Sequence, residues 1–244
     1  MLTKKILITG ASGMLGRSLI KIFPDSDLLK GRTDLDLTDI NKTNKWFTNK
    51  HYDVIIHCAA FTDINYCELR PKKARILHSE VVDHLCQHCD KLIYISTNPN
   101  YNKGIYYLTK YEGEKRTLLN GDSNVVLRTN IYGKGGLADW AITQLRDNKK
   151  ISGFSNVMFN AIHVDQLSEQ IREIVLDTFS SGVIEVAGNY VISKHEFICL
   201  IAKYLGLNGN LITKNTTVSQ NMVIPCDRKI SLTTGLELLR REYE

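Results

Sequence analysis

Lys5-Ile6-Leu7-Ile8-Thr9-Gly10-Ala11-Ser12-Gly13-Met14-Leu15-Gly16-Arg17-Ser18-Leu19-Ile20 decides how the chain is read. Ile6 to Ile8 is an apolar run too short for a helix and closed by a glycine, the pattern of a buried parallel strand. From Met14 onward, Met14, Leu15, Leu19, Ile20 and Ile22 repeat at helical spacing. Three glycines stand between strand and helix. Gly10 permits the tight turn, Gly13 lets backbone N–H groups approach a pyrophosphate, and Gly16 lets helix and strand pack closely. Ser12, Met14 and Leu15 then belong to a helix N-terminus that faces anionic charge. A glycine turn that joins a strand to a helix is a dinucleotide-binding signal.

Working outward, regular strand–helix alternation continues. Asp27-Leu28-Leu29 reads as a second strand, and Thr38 or Asp39 as the cap of the next helix. Asp53 to His57 is a third strand, followed by Cys58, Ala59 and Ala60, small enough to line a cofactor. One long helix is expected from Glu68 to about Cys89, with Pro71 in its first turn. Strands at Leu92–Ile95 and Val125–Leu127 flank a helix over 106–119. Beyond the glycines at 133–136 come helices near 137–147 and from Asp165, a loop through Asn160, and a strand over 182–188. A helix capped by Ser193 runs to Tyr204, polar residues 208–221 read as a surface segment, and 234–243 as a terminal helix. The fold class is α/β: a doubly wound parallel (Rossmann) sheet in residues 1–135, with residues 136–244 completing it and forming a small woven-in substrate lobe.

The 244 residues suffice for a full core, and 23% charged against 43% hydrophobic residues is ordinary for a soluble domain. A net charge of +5 suits an acidic ligand without demanding one. No basic run interleaved with aromatics marks a nucleic-acid surface. No apolar stretch approaches a membrane span and no signal-peptide core opens the chain, so a cytoplasmic protein with six reduced cysteines is expected. His84, Cys86, His88 and Cys89 share helical spacing, but the pairs point in different directions around the helix. They read as packing residues rather than a metal site.

Tyr106-x-x-x-Lys110 sets a phenol and an ammonium one helical turn apart, where the cation would lower the phenol pKa for proton transfer. The spacing recurs from Tyr111 and Tyr190, and position selects Tyr106. It follows shortly after Ser96-Thr97, at the end of the fourth strand and on the same sheet edge as the glycine turn, where open α/β sheets bind ligands.

Thr9-Gly10-x-x-Gly13-x-x-Gly16 resembles the TGxxGxxG of extended short-chain dehydrogenases/reductases. Ser96-Thr97, Tyr106-x3-Lys110-x2-Gly113-Glu114, Leu127-Arg128-Thr129, Asp36-Leu37-Thr38-Asp39, His163-Val164-Asp165 and Gly182 to Gly188 resemble motifs of the dTDP-4-dehydrorhamnose reductases. The resemblance implies that Thr97 bonds a substrate carbonyl, Tyr106 protonates the developing alkoxide and Lys110 holds the nicotinamide ribose. It also implies that Asp36 and Leu37 lie near adenine, that Ala59 and Ala60 line the cofactor, and that Thr62, Asn98, Arg128 and Asn130 meet a sugar-nucleotide substrate. Four features depart from the family: the Thr97–Tyr106 segment is shorter, and His57, His78 and Asn98 replace Asn, Asn and Asp.

Gly31 stands where an acid would bind the NAD ribose, flanked by Lys30 and Arg32 with Arg17 nearby, so NADP(H) is the expected cofactor and NAD(H) the second candidate. The expected function is reduction of a 4-keto-6-deoxy sugar nucleotide. The rival is a non-catalytic regulatory subunit of the same family, like those of methionine adenosyltransferase. A 4,6-dehydratase would need an acid and base beside Thr97 that Asn98-Pro99 does not supply. With so short a segment, Pro99, Asn100, Tyr101 and Asn102 are expected to wall an open, polar pocket. The sequence leaves monomer or homodimer open.

Overall fold

The computed structural model describes residues 4–100, 103–226 and 230–244. It divides into two units, one of residues 1–128 and 168–184, the other of residues 129–167 and 185–244.

The first unit is built on a sheet whose strands alternate with helices. In chain order it contains β1 (Ile6–Thr9), α1 (Met14–Ile22), β2 (Asp27–Leu29), α2 (Ile40–Phe47), β3 (Tyr52–His57), α3 (Ile64–Leu69) and α4 (Pro71–Arg75). A π-helical turn (Ile76–Glu80), α5 (Val81–Cys86), β4 (Cys89–Ser96), α6 (Ile105–Leu119) and β5 (Val125–Thr129) follow. The sheet order is β2-β1-β3-β4-β5, with β9 (Gly182–Val186) at the β5 edge, and β1 pairs in parallel with both β2 and β3. The order reverses between β1 and β3, so a crevice opens beyond their carboxyl ends. In doubly wound sheets that crevice is the ligand site. One face of the sheet is sealed by Leu7, Phe47, Tyr52, Ile55, Val81, Leu85 and Tyr94, all essentially inaccessible to water. Removing the Phe47 ring would cost about 3–5 kcal/mol.

The single helix expected over 68–89 is broken. Arg70 leaves helical geometry (φ −136°, ψ 58°) and Pro71, which has no N–H to donate, restarts the helix at its first position. The chain then widens into the π turn, closed by Val81 N–H on Ile76 O. Cys89 belongs to β4, so the four His and Cys side chains weighed as a ligand set do not share one helix. Among the described residues no cluster of three or more His, Cys, Asp or Glu could hold a metal, and no helix is long and apolar enough to cross a membrane.

The second unit holds β6 (Ile131–Tyr132), α7 (Leu137–Arg146), β7 (Ile151–Phe159), β8 (Ile162–His163), β10 (Ile192–Ser193), α9 (Lys194–Tyr204), β11 (Ile212–Asn221) and α10 (Leu232–Tyr243); α8 (Val164–Leu176) begins in it and ends in the first unit. Two expectations fail here. The loop expected through Asn160 is largely β7, and the polar 208–221 segment contains β11, paired in parallel with β7 from Ile212–Ile151 to Asn221–Met158. Gly153, a loop signal by composition, sits mid-strand because a Cβ there would lie 2.6 Å from His195 Cα on α9. β11 is an edge strand, and most of its side chains meet water, so it lacks the apolar alternation that marks a strand. Ser193 caps α9 as expected, in a reciprocal capping box with Glu196.

Candidate active site

The glycine turn forms one end of the site. Gly10 has φ +65°, and a Cβ there would lie 2.7 Å from Ala59 Cα; at Gly16 a Cβ would lie 2.5 Å from Ala11 Cα. Side chains at these positions would push β1, β3 and α1 apart. Gly13 caps α1 without any side-chain acceptor, leaving the first helical N–H groups of Met14, Leu15 and Gly16 to be met by something else. Above this turn is a cavity of about 240 Å³. Of the residues expected to bind cofactor, Gly10, Ser12, Gly13, Gly31, Arg32, Asp36, Leu37, Ala59 and Ala60 line it; Leu29, Lys30, Leu35, Thr38, Cys58, Phe61 and Leu77 complete the wall. Its size fits part of a dinucleotide, being below the volumes usual for whole ligand sites.

Two cations and one carboxylate, Asp36, line this cavity. Lys30 and Arg32 line the cavity and are exposed, and Arg17 Nη1 donates to Ser12 O at 2.6 Å beside the turn. Asp34 turns back to accept the Lys30 N–H, and Asp36 accepts from Thr38 N–H and Oγ1–H, so each carboxylate braces the loop. A Cβ at Gly31 would meet nothing within 4 Å.

The start of α6 carries a second group of candidate residues, and Thr97, Tyr106 and Lys110 are not among those that line the cavity. Tyr106 stands beside Thr97; burial pushes its pKa up to about 12, and the neighbouring Thr97 side chain opposes the shift. Lys110, expected to lower that pKa, is not among the groups that set it. Lys110 Nζ donates to Ile95 O at 2.5 Å and lies 4.1 Å from the centre of the Tyr94 ring. It is only 3% exposed, and burial draws its own pKa down to about 7, the Glu114 carboxylate opposing. A cation so weakened and so directed does not offset the burial of the phenol.

The two histidines that depart from the family are both buried and neutral. His57 accepts from Thr9 Oγ1 at Nδ1 (2.8 Å) and donates from Nε2 to Leu77 O (3.3 Å), its pKa pushed down to about 3 by burial and the nearby Lys110 charge. His78 Nε2 accepts the Phe61 N–H at 2.9 Å and its Nδ1 meets Thr109 Oγ1 at 2.9 Å; burial pushes its pKa down to about 2. The His78 and Tyr106 rings meet edge to face, 5.8 Å between centroids.

Of the residues expected to meet substrate, Asn98, Arg128 and Asn130 are held by partners within the protein. Asn98 is buried beside Thr97 and its Oδ1 accepts from Asn100 Nδ2. Thr62 is exposed just before α3, and Arg128 Nη2 bonds Glu114 at 2.8 Å. Asn130 lies in the second unit, where its Nδ2 donates to Met222 O. Pro99 and Asn100 are half-buried; Tyr101 and Asn102 lie outside the described residues. The placing of Leu77 and His78 carried no signal in the sequence, because the π turn that orients them is invisible to a 3.6-residue period.

The sequence pattern of the family described as RmlD substrate binding domain matches residues 4–229. Methionine adenosyltransferase 2 subunit beta of Bos taurus is 28% identical, the match covering 95% of this chain and 83% of that protein. The dTDP-4-dehydrorhamnose reductase of Aggregatibacter actinomycetemcomitans is also 28% identical, over 81% of this chain and 78% of that one. The crystal structure of dTDP-4-dehydrorhamnose reductase from Bacillus anthracis in complex with NADP superposes with a TM-score of 0.88 at 21% identity, over 99% of each chain, which shows the shared fold. The chain belongs to the RmlD family of extended short-chain dehydrogenases/reductases.

Proposed function

We propose, from that membership, that the chain is an NADP(H)-dependent reductase of a 4-keto-6-deoxy sugar nucleotide. The observation that carries the reading is the placing of Tyr106 beside Thr97, at the sheet edge that also holds the glycine turn, with Lys110 buried one helical turn further on. A phenol held near pKa 12 remains protonated at neutral pH, the state a proton donor needs. NADPH, held by the glycine turn, would supply the hydride for the carbonyl carbon. Thr97 then orients the carbonyl oxygen, Tyr106 gives it the proton, and Lys110, poised between its two charge states near pH 7, assists the return of a proton to the phenolate. Gly10, Gly13 and Gly16 cradle the pyrophosphate. Ser12, Met14 and Leu15 supply the turn and helix terminus, and Asp36, Leu37, Ala59 and Ala60 enclose the adenosine.

Lys30 and Arg32 at the rim favour the 2′-phosphate, so NADPH should bind more tightly than NADH. Gly31→Asp, at a position with open space, should reverse that preference; fluorescence titration of both reduced cofactors decides. Replacing Tyr106 with Phe should lower turnover of a 4-keto-6-deoxy sugar nucleotide by ~10²–10⁴-fold while sparing cofactor affinity. NADPH binding without oxidation by any such substrate would instead favour a regulatory subunit. That second reading is supported by the equal identity to a methionine adenosyltransferase beta subunit and by His78, whose ring nitrogens are both engaged.

A further inference from the structure

Three groups that the reaction does not touch meet inside the first unit: the Phe61 amide, the His78 ring and the Thr109 hydroxyl. A backbone N–H can only donate, so His78 Nε2 carries no proton and Nδ1 carries it. Nδ1–H therefore donates to Thr109 Oγ1, whose own proton goes to Ile105 O at 2.8 Å. The ring is fully buried. It bridges Phe61, on the cofactor-cavity wall, to the turn of α6 that begins at Ile105 and carries Tyr106. The π turn supports this arrangement from behind. His78 O accepts the Tyr94 hydroxyl at 2.6 Å, and α6 packs so closely over it that a Cβ at Gly113 would come within 2.0 Å of that oxygen.

We propose that His78 is a positioning residue that fastens the Tyr106-bearing turn of α6 to the Phe61 edge of the cofactor cavity, making cavity filling and tyrosine alignment one coupled event. It is not a proton relay. The amide N–H on one side is far too weak an acid to release its proton, and burial holds the ring neutral across the working pH range. The kinetic part of the test rests on the reductase reading; the exchange part does not.

Two conservative variants separate the two bonds. His78→Gln places an amide oxygen near the former Nε2, keeping the Phe61 bond and losing Thr109. His78→Asn places an N–H near the former Nδ1, keeping Thr109 and losing Phe61. NADPH affinity should stay within about twofold in H78Q while kcat falls about tenfold, the effect of one buried hydrogen bond. In H78N, affinity should fall about tenfold with kcat at saturating NADPH largely kept. Thr109→Val should reproduce H78Q from the other side, and thermal melting checks that each variant folds. NADPH should slow amide hydrogen exchange over residues 105–110 in the unaltered protein, but not in H78Q. The kcat–pH profile should keep its shape in H78Q. Loss of one limb of that profile, or identical effects of H78Q and H78N on affinity and kcat, would overturn the proposal. So would NADPH-induced protection of 105–110 that survives in H78Q. If NADPH binds but no 4-keto sugar nucleotide is turned over, the reductase reading fails while the exchange result still decides this one. If neither NADPH nor NADH binds, both fall.

Discussion

Two successive turns of α6 take an ionisable side chain out of water, and the fold treats them in opposite ways. Glu114 accepts from Ser96 Oγ at 2.5 Å and from Arg128 Nε and Nη2, a forked pair with 4% and 16% side-chain exposure. Lys110, one turn earlier, has among the described residues a single carbonyl and an aromatic face. Glu114 is tied to two partners and serves the structure. Lys110 is left short of partners, so its charge becomes negotiable near pH 7, the property a working group requires. The difference teaches that burial alone does not identify function; the balance of burial against compensation does.

The comparison can be broken first at Glu114. Glu114→Ala leaves Arg128 buried without its carboxylate and should cost about 3–5 kcal/mol in urea unfolding. A loss below about 1 kcal/mol would reduce the pair to the rank of a surface salt bridge. The milder Glu114→Gln removes the one carboxylate that holds Lys110 up, so the lysine pKa should fall below about 7 in an NMR titration.

Gly113, between the two turns, tests whether they are held by one packing contact. A Cβ there would lie 2.4 Å from the Tyr94 hydroxyl as well as against His78 O. Gly113→Ala should destabilise by about 3 kcal/mol and depress cofactor affinity with it.

Lys110→Met sharpens the other side of the comparison. The folded chain holds this lysine near pKa 7 and the unfolded chain near its ordinary 10.5. Between those values the unfolded state binds more protons, so stability should rise as pH climbs from about 7 toward 10.5. Below 7 the destabilisation is complete. In Lys110→Met that rise should vanish, and the cofactor-free protein should gain about 1–2 kcal/mol at pH 7. The smallest effect belongs to Glu68, whose carboxylate accepts the Ile105 N–H at 2.6 Å and so caps the helix that carries Tyr106 and Lys110. Glu68→Gln should cost about 0.5–1 kcal/mol by thermal melting, since the oxygen remains and only its charge is lost.

What the residues determined by themselves is what short-range physics governs. The glycine turn, the strand–helix alternation up to β5, the Asp39 and Ser193 caps and the placing of Tyr106 near Thr97 all follow from period, turn chemistry and residue size over a few positions. Tertiary structure decided the rest. The π turn exists where α6 presses Gly113 against His78 O, and β11 is a strand because β7 offers it an edge, neither of which a local period records. The proton states belong to the same class. The motif made Tyr106 an acidified phenol, yet burial raised its pKa, lowered that of Lys110 and kept His57 and His78 neutral. Desolvation is set by everything packed around a group, and residues distant in sequence supply most of that packing.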